Sequence, residues 1–358
     1  MTTPNNWLHF ILREWLLLAA ASGLILTSVH LHRLPVCSAA EYEVLFILFV
    51  LFVAVKGLEK TGLLSRLSAG IEKGSFIPLK LVLATFLLSM VVTNDVALIV
   101  IVPLTLALRT RRKDILVILE ALAANAGSAL TPIGNPQNLF IYWFYSIRPQ
   151  EFVLAIAPLS VVFLFLLAAA SLLVKTPESS PASGQSPKVE RLAPLYGVLL
   201  VIAILSVFHV LPMSVDLLVI LCALVLDRRS LRVDYPLLLT FFCFFGLTEN
   251  LEVLLAAELE NPRHIFLASA AASQIMSNVP GTILFAKFTR QWKALLWGAN
   301  VGAFGSLVGS LANLIAYKLY VTDGSTENPV SFTTKFLVLG YLMFFIGIGL
   351  YWAVEASL

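Results

Sequence analysis

Residues 151–174 read EFVLAIAPLSVVFLFLLAAASLLV, with Glu151 as the sole charged residue. A helix of that length extends about 36 Å, more than the ~30 Å hydrocarbon core of a bilayer. Comparable apolar runs occupy residues 15–29, 194–212 and 333–352. Lipid offers no partner to a free N–H or C=O, so the spanning segments must be helices and any break in one is costly. Only 13% of the 358 residues are charged and 59% are hydrophobic, whereas charged residues make up about a quarter of a soluble chain. The expectation is an all-α polytopic membrane protein of about ten transmembrane segments.

Several other classes find no support. Cys37, Cys222 and Cys243 are scattered, without the spacing of a disulfide framework or a zinc site. There is no Walker A sequence, no H-E-x-x-H and no cluster of carboxylates, which argues against ATP driving or enzymatic chemistry within the chain and implies no cofactor beyond a coupling ion. The basic runs RTRRK (109–113) and DRRSLR (227–232) lack interleaved aromatics, so they read as topology determinants rather than a nucleic-acid surface. The run 15–29 has the length of a signal sequence. It follows Arg13–Glu14 instead of a clean basic start, and reads as a retained first helix.

The Pro- and Ser-rich stretch 175–191, KTPESSPASGQSPKVER, is a linker near the middle of the chain. It separates a first unit, 1–174, from a second, 192–358. NAGSALTPIGNPQN (125–138) aligns without a gap on NVGAFGSLVGSLAN (300–313): Asn125 meets Asn300, Gly127 meets Gly302, Gly134 meets Gly309, Asn138 meets Asn313, and Thr131 faces Ser306. Upstream, VVTNDVAL (91–98) pairs with IMSNVPGT (275–282), and more weakly GLEKTG (57–62) with GLTENL (246–251). Three landmarks in one order indicate an internal repeat.

Placing both basic runs in the cytoplasm gives a consistent topology. A hairpin at about 78–108 enters from the cytoplasm, a broken helix at about 114–145 crosses outward, and the chain returns to a cytoplasmic linker. An odd crossing at 194–212 inverts the second half, whose hairpin at about 265–289 enters from outside and is followed by a broken helix at about 294–320. Most of the 24 Lys and Arg then lie on the cytoplasmic side, together with the N-terminus. The two halves become inverted repeats.

Helix breaks free carbonyls at one half-helix end and N–H groups at the next start, which favour cations and anions respectively. Asn125, Thr131, Asn135, Asn138, Asn300, Ser306 and Asn313 add neutral polar groups there, and Gly127, Gly134, Gly302 and Gly309 permit the turns. Pro132, Asn135 and Pro136 do not recur in the second half and read as specific to shaping the first. Thr93–Asn94 and Ser277–Asn278 fall where a re-entrant hairpin would turn, and can coordinate Na⁺ or bond a carboxylate. Asp95 has no acidic counterpart, since Val279 takes the equivalent place. It is a candidate proton carrier or cation ligand, or a partner of Lys56 that holds the hairpin. Glu59, Glu249, His209 and Asp216 read as interfacial residues near helix ends.

The quoted segments, with SQIMSNVPGTILF in the second half, resemble the ion transporter superfamily: the arsenical-pump membrane subunit, NhaD-type antiporter and citrate-transporter-like anion permeases. The resemblance runs from about residue 41 to the C-terminus. It implies inverted repeats, each with a re-entrant hairpin and a broken helix, and an elevator motion against a dimerising scaffold. The dicarboxylate branch carries S-N-T at both hairpin tips, where Asp95 and Val279 here replace the last threonine. The resulting expectation is a homodimeric inner-membrane transporter that moves a small inorganic or organic anion by coupling to Na⁺ or H⁺. The alternative in transport is a Na⁺/H⁺ antiporter using Asp95; outside transport, a membrane scaffold or embedded enzyme.

Overall fold

The computed structural model describes residues 14–35, 37–68, 71, 74–108, 110, 112–174, 189–255, 261–323 and 328–356. Residues 1–13, Arg109, Arg111 and residues 175–188 of the linker therefore lie outside the described residues. The described chain is helical and contains no strand, as an all-α polytopic protein requires. Three helices, Pro149–Leu172, Tyr235–Leu254 and Pro329–Glu355, have the length and apolar composition to cross a membrane, and shorter apolar helices accompany them.

In chain order the helices are α1 (Trp15–Leu31), α2 (Ala39–Lys60), α3 (Leu63–Ser68), α4 (Ile77–Val92), α5 (Asn94–Ala107), α6 (Lys113–Ser128), α7 (Pro136–Phe144) and α8 (Pro149–Leu172). Then follow α9 (Ala193–Val207), α10 (Leu217–Leu226), α11 (Tyr235–Leu255), α12 (Pro262–Met276), α13 (Asn278–Ala286), α14 (Trp292–Gly302), α15 (Leu311–Thr322) and α16 (Pro329–Glu355). Proline begins α7, α8, α12 and α16, where its missing N–H costs nothing and its fixed φ suits the first turn. A capping box starts α2: the Glu41 backbone N–H donates to Ser38 Oγ at 3.3 Å, and the Ser38 N–H donates to Glu41 Oε2 at 2.6 Å.

Two pairs of helices are joined at a single residue. Thr93 links α4 to α5 and Ser277 links α12 to α13, and the helices of each pair pack on each other. Two further pairs, α6–α7 and α14–α15, are interrupted by 3₁₀ turns at Pro132–Gly134 and Leu307–Gly309. Helix α4 lies along α6, and α12 lies along α14, so each joined pair is docked on an interrupted one. α1 packs on α11, and α2 on α9, forming the other side of the bundle.

Several of the polar and charged residues have neighbours that the sequence does not announce. Glu249 lies within α11, which continues to Leu255, so the GLTENL stretch is mid-helix while GLEKTG closes α2. Asp216 is fully buried in a 3₁₀ turn, Met213–Asp216, at the start of α10. His209 packs on Trp143 with ring centroids 4.4 Å apart. Lys56 bonds Glu59 at 2.9 Å, not Asp95.

A buried ion pair ties α13 to the opposite side. Lys287 Nζ lies 2.9 Å from both Glu41 at the start of α2 and Glu249 on α11, and Arg33 lies 3.7 Å from Glu249. The Glu41 side chain is wholly buried, so removing its partner strands a charge, at a cost of about 3–5 kcal/mol. Lys287→Met should lower the thermal unfolding midpoint of the detergent-solubilised protein, and adding Glu41→Gln should restore more than half of the loss. A double variant no more stable than Lys287→Met would contradict the pairing.

Candidate functional site

The polar centre is built from two helix interruptions that solve one problem identically. α6 ends with free carbonyls, which in lipid must find donors. Asn138, in the first turn of α7, folds back and its Nδ2 donates to the carbonyls of Ser128 at 3.0 Å and Ala129 at 3.2 Å. In the second half, Asn313 Nδ2 donates to the carbonyls of Ala303 at 2.9 Å and Ser306 at 3.0 Å. Thr131 Oγ1 accepts from the Gly134 N–H at 3.1 Å and donates to the Met90 carbonyl at 2.7 Å. Ser306 Oγ likewise accepts from the Gly309 N–H at 2.9 Å and donates to the Gln274 carbonyl at 3.0 Å.

The two interruptions are then tied to each other. Asn125 Nδ2 donates to Asn313 Oδ1, and Asn300 Nδ2 donates to Asn138 Oδ1, both at 2.8 Å. Since Asn125 aligns with Asn300 and Asn138 with Asn313, the exchange is reciprocal. All four side chains are buried. The glycines allow the close packing this needs: a Cβ on Gly127 would lie 2.2 Å from the Phe86 carbonyl, and one on Gly302 would lie 2.5 Å from Ser273 Cβ. Gly134 and Gly309 pack their turns against the Ser128 and Gly302 carbonyls in the same way.

The single-residue joints are strained. Thr93 has φ 99° and ψ 152°, and Ser277 has φ 71° and ψ 158°. A side-chain-bearing residue there costs about 1–3 kcal/mol, and such strain gathers at ligand clamps and switch regions. The next residues, Asn94 and Asn278, begin α5 and α13 and are buried. Their surroundings differ. Asn94 Nδ2 donates to Asn125 Oδ1 at 3.2 Å and Ser310 Oγ at 3.4 Å, while its Oδ1 accepts from the Asp95 N–H at 2.9 Å. Asn278 Nδ2 has no hydrogen-bond partner.

A cavity of about 540 Å³ opens beside these joints. Asn94–Asp95, Asn135–Pro136, Ser277–Asn278 and Ser310–Leu311 line it, which brings the N-termini of α5, α7, α13 and α15 to one space. The facing wall includes Trp15 on α1 and Asp234 and Leu237 at the start of α11, with Lys318 from α15. Besides Asn278 Nδ2, the buried Asn135 Nδ2 and Asp95 Oδ1 lack partners. Among the described residues no group of His, Cys, Asp and Glu is arranged to hold a metal ion.

Of the residues singled out in the sequence, Asn94, Asp95, Ser277 and Asn278 line the cavity. Asn125, Thr131, Asn138, Asn300, Ser306, Asn313 and the four glycines form the frame behind it, and Thr93 is the buried joint. Ser310 was not singled out, and Asn135 was set aside because it does not recur, although each stands three residues before a framing asparagine. Because one is Asn and the other Ser, matching identical residues passes over the pair. Asp234 and Lys318 carry no local motif.

The sequence model of the CitMHS citrate transporter family matches residues 7–309. The chain belongs to the citrate transporter family. An uncharacterized transporter of Methanocaldococcus jannaschii is 31% identical over 334 residues, covering 90% of this chain and 92% of that one. The inner membrane protein YbiR of Escherichia coli is 35% identical over 306 residues, covering 79% and 81%. A silicon efflux transporter of Oryza sativa subsp. japonica is 34% identical over 129 residues, 34% of this chain and 26% of its own length. Membership of a transporter family agrees with the apolar helices, and makes the chain a membrane protein of the transporter class.

Asn138→Ala would leave the Ser128 and Ala129 carbonyls without this donor, each buried orphan costing about 1–3 kcal/mol, while the Asn300 amide keeps the Leu296 carbonyl. Asn138→Ala should therefore lose at least about 2 kcal/mol. Asn313→Ala should lose less, because the Ala303 carbonyl keeps Asn125 and the Ser306 carbonyl keeps the Gly309 N–H. Both losses are read as a lower unfolding midpoint in detergent. Unchanged midpoints would show that these amides do not hold the breaks.

Proposed function

We propose that the chain is a secondary active transporter that moves a small inorganic or organic anion across the cell inner membrane, coupled to Na⁺ or H⁺. The observation that carries this reading is the convergence of four helix N-termini on one cavity, with the partnerless amides of Asn135 and Asn278 at its wall. Helix N-termini present N–H groups and partial positive charge, and so favour an anion. The carbonyl ends of α6 and α14, which would favour a cation, are already occupied by Asn138 and Asn313. The citrate transporter description of the family supports an anionic substrate in the same direction.

In this reading the two halves are inverted repeats, and the joints at Thr93 and Ser277 are the tips of re-entrant hairpins. Hairpins and broken helices move together as an elevator against a dimerising scaffold, with the N-terminus and the 175–191 linker in the cytoplasm. Thr93–Asn94 and Ser277–Asn278 supply the Na⁺ ligands if sodium is the coupling ion. The spans total about ten.

Uptake into proteoliposomes under an imposed ion gradient tests the site. Asn94→Ala and Asn278→Ala should each reduce the initial rate by at least about tenfold, the effect of losing ~1.4 kcal/mol of ligand stabilisation. If both transport like the unaltered protein, the site assignment is wrong.

A second reading, Na⁺/H⁺ antiport, rests on the buried and partnerless Asp95 Oδ1 at the same cavity. An ionisable residue there is a natural exchanging carboxylate. Antiport predicts proton efflux from acid-loaded vesicles on addition of Na⁺ without any anion, abolished in Asp95→Asn. Persistence of that efflux in the variant would rule Asp95 out as the exchanger.

A further inference from the structure

Three residues of the cavity wall carry a buried side-chain atom without a partner. Asn135 and Asn278 have amide nitrogens without partners, which are donors; Asp95 has a carboxylate oxygen without one, which is an acceptor. All three residues line the same space. The second half supplies no match for the carboxylate, because Val279 follows Asn278 where Asp95 follows Asn94. Nor does a neighbouring lysine neutralise it, since Lys56 is bonded to Glu59 at 2.9 Å. The other charged residues that line the cavity are Glu14, Asp234 and Lys318, of which Asp234 and Lys318 are exposed.

A ligand made only of acceptors would satisfy the amides but set an oxyanion against Asp95. A ligand that keeps one O–H satisfies both, with its bare oxygens on the amides and its hydroxyl donating to Asp95. Sites that pair a buried polar group with a substrate hydroxyl reject the analogue lacking it far more strongly than apolar pockets reject a wrong shape. A repulsive element is the usual means of such rejection.

Resting on the anion-transport reading above, we propose that Asp95 is a specificity-determining residue that selects oxyanions retaining an acidic hydroxyl, the hydrogenphosphate and hydrogencarbonate class, over fully deprotonated oxyanions of the same shape. Asn135 and Asn278 donate to the unprotonated oxygens of the ligand. The proton on the ligand lies between its oxygen and the Asp95 carboxylate, and no covalent bond is made or broken.

Two isosteric pairs of probes test this without knowledge of the physiological substrate. Phosphate and sulfate are both tetrahedral, and hydrogencarbonate and nitrate both planar; in each pair only the first carries a proton at pH 7.5. Thermal stabilisation of the purified full-length chain is measured against each sodium salt at constant ionic strength. For at least one pair, the proton-bearing member should stabilise at a concentration at least about tenfold lower than its partner. In Asp95→Asn, whose amide can donate to a bare oxygen, that ratio should fall to within about twofold, chiefly through a gain for sulfate or nitrate.

Equal stabilisation by both members of each pair in the unaltered protein would overturn the selection while leaving an anion site in place. A ratio that persists in Asp95→Asn would overturn the role of Asp95. Stabilisation by none of the four salts would overturn the inference as well, and the anion reading would then be decided by the uptake assay alone.

Discussion

Two hydrogen bonds at the centre of the molecule, Asn125 to Asn313 and Asn300 to Asn138, hold together what the rest of the structure arranges. An interrupted helix in an apolar chain is a liability, because each break exposes backbone groups that lipid cannot satisfy. Here each break is sealed by an asparagine from its own far side, and the remaining oxygen of that asparagine is taken by the other break. Each seal thus depends on its counterpart. The close approach of helices at Gly127 and Gly302, and the docking of α4 and α12 along α6 and α14, bring the groups to within bonding distance.

Sealing the carbonyl ends has an electrostatic result. What remains open to the cavity is the set of helix starts, so the space is biased toward negative charge before any ligand-binding side chain is considered. Asp95 runs against that bias. A carboxylate among four helix N-termini is a poor choice for binding any anion indiscriminately, and a reasonable one for discriminating among anions. The strained joints adjoin the cavity, Ser277 as a lining residue and Thr93 directly before the lining Asn94, so a small change in backbone there would alter the cavity wall.

Much of this was legible in the sequence. The apolar runs dictated an all-helical chain, and the spaced Asn and Gly residues of 125–138 and 300–313 identified segments with the same local hydrogen bonding. What could not be read was which asparagines serve the frame and which face the cavity. Asn125 and Asn278 are the same residue type in similarly apolar surroundings, and only packing separates a fully bonded amide from a partnerless one. Asn135 was set aside and Ser310 escaped because a repeat read by identity favours positions where both halves keep one residue. Asp234 and Lys318 reach the cavity from far along the chain, and no local pattern announces them. Asp216 and Glu249 show the same limit: that the first is buried and the second pairs with Lys287 could not be read from their places along the chain.

The reciprocal asparagine exchange has the form of an isologous contact, in which position i of one unit meets position j of the other and the reverse also holds. A half-length polypeptide with asparagine at both positions already contains every group the contact requires. Two copies could associate through it without a single new side chain, and fusing them would preserve the contact unchanged. After fusion, each copy of a position could vary by itself, and a carboxylate at 95 where the aligned position, 279, holds valine is a difference that only a fused, asymmetric molecule can keep.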